Sequence, residues 1–285
     1  MSRLLQSIAT LCPESGRDEY RVLRRSNGVE IFLEPTRVTK TFFPHKYLEA
    51  SMQDEVYRVL EAQGVSSDRL VSMNSDSWRM VFTPRGRATK PKNLEELFAA
   101  IGNVLWALQK LHSRSWMHRD IRWSNVMRQY DGSNSWFLID FMDAKLSPAD
   151  ASSGEHLSRK SHAPEIFDAS CKHTTAVDIW SVGYLIETSD VQWFDAGKRS
   201  AFKNELMHPD PTKRPTAMDA IRRLMELKKE YLQDEDSEYS EEEEKDLEDE
   251  DSAEEEDMQE ENMPSEKCGA GEGDIPPSNK KQRIE

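Results

Sequence analysis

The stretch that decides the fold is His118-Arg119-Asp120-Ile121-Arg122-Trp123-Ser124-Asn125. It places an imidazole, two guanidinium groups, a carboxylate and a carboxamide within eight positions. Both flanks are strongly patterned. Upstream, Asn93 to Leu111 carries Leu94, Leu97, Phe98, Ile101, Leu105, Leu108 and Leu111 at spacings of three and four, the period of one helical face. Asn93 and Glu96 form a capping-box start for that helix. Downstream, Trp136–Phe141 is an apolar run of strand length that delivers a single carboxylate, Asp140.

Further out, residues 18–43 are strand-like, with Tyr20, Val22 and Leu23, then Val29, Ile31 and Leu33, then Val38, Phe42 and Phe43. Asn27-Gly28 reads as a tight turn between them. The spacing of Leu48, Met52, Val56, Val59 and Leu60 predicts a helix over 47–63 with Gly64 as its C-terminal cap. Two more strands, Leu70–Met73 and Trp78–Phe82, lead into Thr83-Pro84-Arg85-Gly86. Helical patterns return at Val177–Glu187, Ala201–Met207 and Ala217–Leu232. Strands with one helix, followed mostly by helices, predict an α+β chain of two unequal lobes.

Charge divides the 285 residues. The net is −15, but residues 232–285 hold 23 acidic and 5 basic side chains, a net of −18, while residues 1–231 hold 30 and 33, a net of +3. A run that self-repels and has almost nothing to bury predicts a disordered tail. The expected layout is an N-terminal extension (1–16), a small lobe (17–84), a large lobe (85–231) and the tail (232–285). Cys12, Cys171 and Cys268 are far apart and outside any CxxC spacing, which argues against a disulfide framework or a zinc site. No apolar run approaches the roughly 18 residues of a membrane span. The folded part has no basic stripe and the tail would repel phosphates, so neither nucleic acid nor membrane is expected as a partner. The default location is cytosolic or nuclear.

The eight-residue stretch resembles the catalytic loop of protein kinases, HRDxKxxN, and the resemblance assigns roles. Phosphoryl transfer asks a protein mainly for positioning and charge neutralisation. Asp120 would orient the incoming hydroxyl and accept its proton, Arg122 would stand where the family usually has lysine, and Asn125 would bind magnesium. Asp140 in Phe137-Leu138-Ile139-Asp140-Phe141-Met142-Asp143-Ala144 is similar to the DFG aspartate, a second metal ligand. Met142 replaces the glycine, which removes a backbone hinge. Ala163-Pro164-Glu165, Asp178-Ile179-Trp180-Ser181-Val182-Gly183 and Asp210-Pro211-Thr212-Lys213-Arg214-Pro215 resemble three later motifs in the family's order. They imply that Asp178 holds the loop backbone, that Glu165 pairs with Arg214, and that His118 and Arg119 are structural. The resemblance covers roughly residues 20–230 and identifies the chain as a member of the eukaryotic-type protein kinase superfamily, with a bilobal fold, ATP and Mg2+ as cofactors, and a protein substrate.

The small lobe carries the resemblance less well. Lys40 in Val38-Thr39-Lys40 is the candidate to hold the α- and β-phosphates, with Lys46 a rival at the helix start. Glu55, read as lying on the apolar face of the 47–63 helix, is the candidate to fix that lysine. Val81, Phe82 and Thr83 stand where the adenine-binding hinge should be. The glycine-rich phosphate loop is not present; only Gly28 falls in its place, leaving fewer free N–H groups to cover phosphates. Ser152, Ser153, Ser158 and Ser161 lie between Asp140 and Glu165, where a phosphate paired with Arg119 would order the segment.

"HRDIRWSNVM", "WFLIDFMDA" and "SRKSHAPEIF" most resemble the kinase domains attached to crinkler-type effector proteins of oomycetes and fungi. That resemblance implies Ser/Thr transfer, including onto itself, and a nuclear setting. Lys280-Lys281-Gln282-Arg283 fits a nuclear-import signal, and the acidic run fits a basic protein partner or a solubilising role. Two other readings stay open: a pseudokinase scaffold, favoured by the missing loop glycines and Met142, and a small-molecule kinase, opposed by the later motifs.

Overall fold

Short runs of β-branched and aromatic residues build a five-stranded antiparallel sheet in the first third of the chain. Its strands are β1 (Arg21–Arg25), β2 (Val29–Leu33), β3 (Val38–Phe42), β4 (Arg69–Asn74) and β5 (Arg79–Thr83), in the order β1-β2-β3-β5-β4. The computed structural model describes residues 21–25, 28–151 and 157–233. The expectations for residues 1–20, Asn27, Ser152, Ser153 and the tail from residue 234 therefore lie outside the described residues. The chain divides into two units, 1–231 and 232–285, and the elements of the fold belong to the first.

Register places Lys40 at the middle of the sheet, opposite Ile31 on one side and Met80 on the other. Thr39, Lys40 and Phe42 of β3 are buried. Gly28 sits at φ +78 in the turn before β2, where a Cβ would strike the His45 ring. Helix α1 (Tyr47–Gln63) follows β3 and ends on Gly64 in the left-handed conformation, as its sequence predicts.

The face that α1 buries matches the predicted one in its second half, where Val56 and Leu60 are core residues and Val59 packs against them, and departs from it in the first. Gln53, Val56, Tyr57 and Leu60 point inward, while Leu48 is 81 % exposed and Met52 42 %. Leu48, Met52, Val56 and Leu60 form one stripe at helical spacing; its second half is buried together with Gln53 and Tyr57, and its first half stays exposed. In the buried half, Tyr57 packs near Phe82 and Phe141 and its hydroxyl donates to Asp68 at 2.8 Å.

Helix α2 (Leu94–His112) behaves as its sequence predicts. Asn93 accepts from the Glu96 N–H at 2.8 Å, and all seven predicted apolar positions are buried. The Glu96 carboxylate accepts from the N–H of Lys92, one residue before the cap. Behind α2 lie the short strands β6 (Trp116–Met117), β7 (Val126–Arg128), β8 (Trp136–Leu138) and β9 (Lys145–Leu146), with β6 paired to β9 and β7 to β8. The predicted strand Trp136–Phe141 stops at Leu138, and Phe141–Asp143 turns as a single 3-10 helix. Helices α3 (Ala176–Glu187) and α4 (Ala196–Leu206) follow, and α5 starts at residue 217. A β-sheet region thus precedes a helical one, and one buried apolar cluster runs from Val29 to Leu227 through both. No helix among the described residues is long and apolar enough to cross a membrane.

Candidate active site

The loop 118–125 is held from below by one buried carboxylate. Asp178, near the start of α3 and fully buried, accepts from the backbone N–H of His118 and of Arg119, each at 2.8 Å, and contacts His112 Nε2 at 2.9 Å. Burial alone would raise its pKa; the hydrogen bond and charge of His112, His118 and the Arg119 N–H hold it below the usual carboxylate range. The grip matters because Arg119 sits at φ +70, which a non-glycine residue rarely adopts. Trp123 adds a second tether, donating from its indole to the Leu185 carbonyl of α3 at 3.2 Å.

The same loop is tied to the strand that carries Asp140. His118 Nδ1 accepts from the Asp120 N–H at 3.3 Å, and its Nε2 lies 3.2 Å from the Ile139 carbonyl. This fixes the tautomer with the proton on Nε2. The Ile139 N–H donates to the Asn125 carbonyl at 3.0 Å. The two candidate metal-binding positions therefore share a frame of backbone hydrogen bonds.

Asp120, Arg122 and Asn125 come together within that frame. Asn125 Nδ2 donates to Asp120 Oδ2 at 2.9 Å and to its carbonyl at 2.8 Å. Arg122 Nη2 stands 3.0 Å from the same Oδ2. His162, from the segment just before Ala163-Pro164-Glu165, brings Nε2 to 3.1 Å from Asp120 Oδ1. Asn125 Oδ1 is buried with no hydrogen-bond partner among the described residues. A buried amide oxygen left without a donor is costly unless something else fills it.

Asp140 adopts the left-handed conformation, φ +70, and Lys40 Nζ donates to its Oδ1 at 2.7 Å with both side chains buried. Lys40 also lies 5.4 Å from the Phe82 ring centre. The left-handed residue of this segment is Asp140 and not Met142, so the methionine fits without the freedom of a glycine. Lys46 closes the 3-10 turn that precedes α1, away from the strand position.

Glu55 is not brought to Lys40. It is exposed on α1, because the helix buries the stripe containing Gln53 instead. Gln53 is 1 % exposed, and neither of its amide atoms has a partner among the described residues. The charge of Lys40 also reaches Asp68, whose pKa burial pushes up to about 7 against that charge and the Tyr57 hydrogen bond.

Of the hinge candidates, Phe82 is fully buried against Tyr57 and forms a rear wall under Lys40, while Val81 and Thr83 are half-buried. Thr83 and the Arg85 N–H both bond to the Thr36 carbonyl, which closes the end of the sheet.

The later motifs form the floor. Glu165 and Arg214 make a two-pronged ion pair, Nη1 to Oε1 and Nη2 to Oε2, the latter 3.1 Å, and Arg214 also donates to the carbonyls of Ala176 and His208. Arg119 is buried and donates through Nη1 to the Asp143 carbonyl at 3.3 Å; its Nε and Nη2 have no partner among the described residues, and burial lowers its pKa. His173 is buried as well, and burial, followed by the charge of Arg119, lowers its pKa to about 4.

Three participants carry no signal in the sequence. His162 and Asp68 bond to residues distant along the chain, and Gln53 is buried by the turn of α1, so no local pattern marks them. A surface concavity lined by Tyr57, Leu60, Val65 and Asp68 lies beside α1 and β4, away from Asp120; the converging polar groups, and not that hollow, define the site.

A family model described as a protein kinase domain matches residues 47–189. The chain is 44 % identical over 235 residues to Crinkler effector protein 8 of Phytophthora infestans, covering 81 % of this chain and 39 % of that protein. It is 33 % identical over 81 residues to a probable serine/threonine-protein kinase, glkA, of Dictyostelium discoideum, covering 28 % of this chain and 17 % of that one. With mitogen-activated protein kinase sma-5 of Caenorhabditis elegans it shares 34 % over 107 residues, 32 % of this chain and 20 % of the relative. The chain thus spans well under half the length of each of these curated relatives.

Proposed function

The chain belongs to the protein kinase family, and from that premise we propose that it is a catalytically active, Mg2+-dependent kinase that transfers the γ-phosphate of ATP to serine and threonine hydroxyls of proteins. The family's chemistry uses ATP and a divalent cation. One observation carries the claim of activity: Asn125 binds Asp120 through Nδ2 while its buried Oδ1 is left without a partner among the described residues. Together with the Asp140 carboxylate this oxygen donor set would suit a hard divalent cation. Among the described residues no cluster of three or more His, Cys, Asp or Glu side chains offers a dedicated protein cage. Such a cation neutralises charge on the phosphates and holds them in place.

The chain's own residues supply the rest. Asp120 orients the acceptor hydroxyl and takes its proton on the carboxylate. The hydroxyl oxygen forms a bond to the γ-phosphorus as the bond to the β,γ-bridging oxygen breaks, leaving ADP. Arg122, 3.0 Å from Asp120, adds positive charge beside the transferred group. Lys40 holds Asp140 before nucleotide binds and exchanges to the α- and β-phosphates when it does. Phe82 supports Lys40 from behind.

Serine and threonine acceptors are favoured by the relatives whose names carry that specificity. The tail's net charge of −18 and its Lys280-Lys281-Gln282-Arg283 end support a nuclear location and a basic protein partner. The competing reading is a pseudokinase that keeps the fold as a scaffold, and the exposure of Glu55 favours it. Incubating the full chain with γ-labelled ATP and magnesium, followed by phosphoamino-acid analysis, separates them. Label on serine or threonine that disappears in Asp120→Ala is expected. Equal label in both proteins favours the scaffold, and label confined to tyrosine overturns the acceptor class.

A further inference from the structure

His162 contacts the candidate base from the opposite side to Asn125 and Arg122, and no motif accounts for it. Its ring is 1 % exposed and sits edge-on to Phe167, 6.4 Å between centres. Nδ1 lies among the Ser158 N–H at 3.1 Å, which donates to it, the Ser158 carbonyl at 3.0 Å and the Ser161 hydroxyl at 3.0 Å. Nε2 faces Asp120 Oδ1 at 3.1 Å. An ionised carboxylate only accepts, so Nε2 carries a hydrogen and donates it to Oδ1. The segment cannot drift far from this contact, because Glu165, three residues on, is clamped by Arg214.

The occupancy of the Asp120 carboxylate then has a simple count. Its two oxygens offer about four lone-pair directions. Oδ2 has Asn125 Nδ2 at 2.9 Å and Arg122 Nη2 at 3.0 Å beside it. Oδ1 has a single donor among the described residues, His162 Nε2. The remaining direction for an acceptor hydroxyl is therefore on Oδ1, and its angle is set by the imidazole on the other lone pair. Resting on the catalytic reading of Asp120, we propose that His162 is a positioning residue: its Nε2–H orients the base so that one Oδ1 lone pair faces the acceptor hydroxyl, and it does so only while residues 158–165 are seated.

Two kinds of measurement on the full chain test this separately from whether the protein is a kinase. In long-range 1H–15N spectra, the His162 Nε2–H, identified by its loss in His162→Gln, should appear as a slowly exchanging proton in the parent protein. It should lose that protection in Asp120→Ala; an unchanged signal there overturns the hydrogen bond whatever the activity. In steady-state phosphotransfer, His162→Leu, which keeps the buried volume but not the donor, should lower kcat roughly 10- to 100-fold with the KM for ATP nearly constant, the cost of one hydrogen bond to a charged group. His162→Gln, whose amide N–H reaches the place of Nε2, should regain most of that loss. A Leu variant with parental kcat, or a Gln variant no better than Leu at equal melting temperature, overturns the positioning role. A parent protein without phosphotransfer defeats the kinase reading, and the spectra still decide the contact.

Discussion

The loop 118–125 and the five-stranded sheet hold their charged side chains in opposite ways. Asp120 is surrounded by an amide, a guanidinium and an imidazole, each from a different position. Asp178 beneath it is equally saturated. On the sheet side, Lys40 is ion-paired with Asp140, and the helix that would carry a second acidic partner turns Gln53 inward and Glu55 out. A network with several donors per carboxylate is rigid before any ligand arrives. Under the proposed function, the buried Lys40–Asp140 pair is a contact that phosphates and a metal would replace. The loop is preassembled, and the sheet waits for its ligand.

The largest effect should come from the exchangeable pair. Lys40→Met removes the cation 2.7 Å from a buried carboxylate, so denaturant unfolding should show a loss of about 3–5 kcal/mol. A loss under about 1 kcal/mol would mean that Asp140 is already well served by other groups and that the loop and the sheet differ little in how they hold charge.

Next come two buried titratable groups, Asp68 just before β4 and His173 before α3, with opposite signs. Asp68 is raised to about 7 in the folded chain from an ordinary 3.8. Between those values the folded chain binds a proton that the unfolded chain has released. Its contribution to stability is full below about pH 4 and is lost as pH rises through 7. His173 is lowered to about 4 from 6.5, so over that interval the unfolded chain binds more protons and stability rises with pH. Asp68→Asn keeps an acceptor for Tyr57 and should leave the rising limb; His173→Gln should leave the falling one. Melting temperature against pH for the two variants checks this, and parallel curves would break the assignment.

The smallest effect sharpens the α1 assignment. Glu55→Ala should leave the melting midpoint unchanged, within about 0.5 kcal/mol, because the side chain is exposed. Gln53→Leu replaces a buried amide without partners among the described residues and should stabilise the chain by roughly 1 kcal/mol. Reversed effects would put Glu55 back on the inner face.

What the residues alone reveal differs between the same two regions. The loop is legible because phosphoryl transfer needs particular groups at fixed short spacing, and because α2 and β8 on either side follow simple periods. The Glu165–Arg214 pair is legible from two motifs in their expected order. Helix α1 misleads in its first half, where Leu48 and Met52 continue the stripe of Val56 and Leu60 but stay exposed, while Tyr57, reaching Asp68, joins the buried face. Met142 reads as a lost hinge, yet the unusual backbone angle belongs to Asp140. His162 is an ordinary Ser-His pair in sequence; its bond spans 42 positions and exists only in three dimensions.

The central claim is that Asp120 is the base of a working phosphotransferase. Its most direct test is the rate of γ-phosphate transfer by the full chain and by Asp120→Asn, an isosteric change that keeps one oxygen acceptor where the carboxylate has two, with ATP affinity measured alongside. The rate should fall roughly 10²- to 10⁴-fold while ATP binds about equally to both. Equal rates in the two proteins, or no transfer by either, would contradict it.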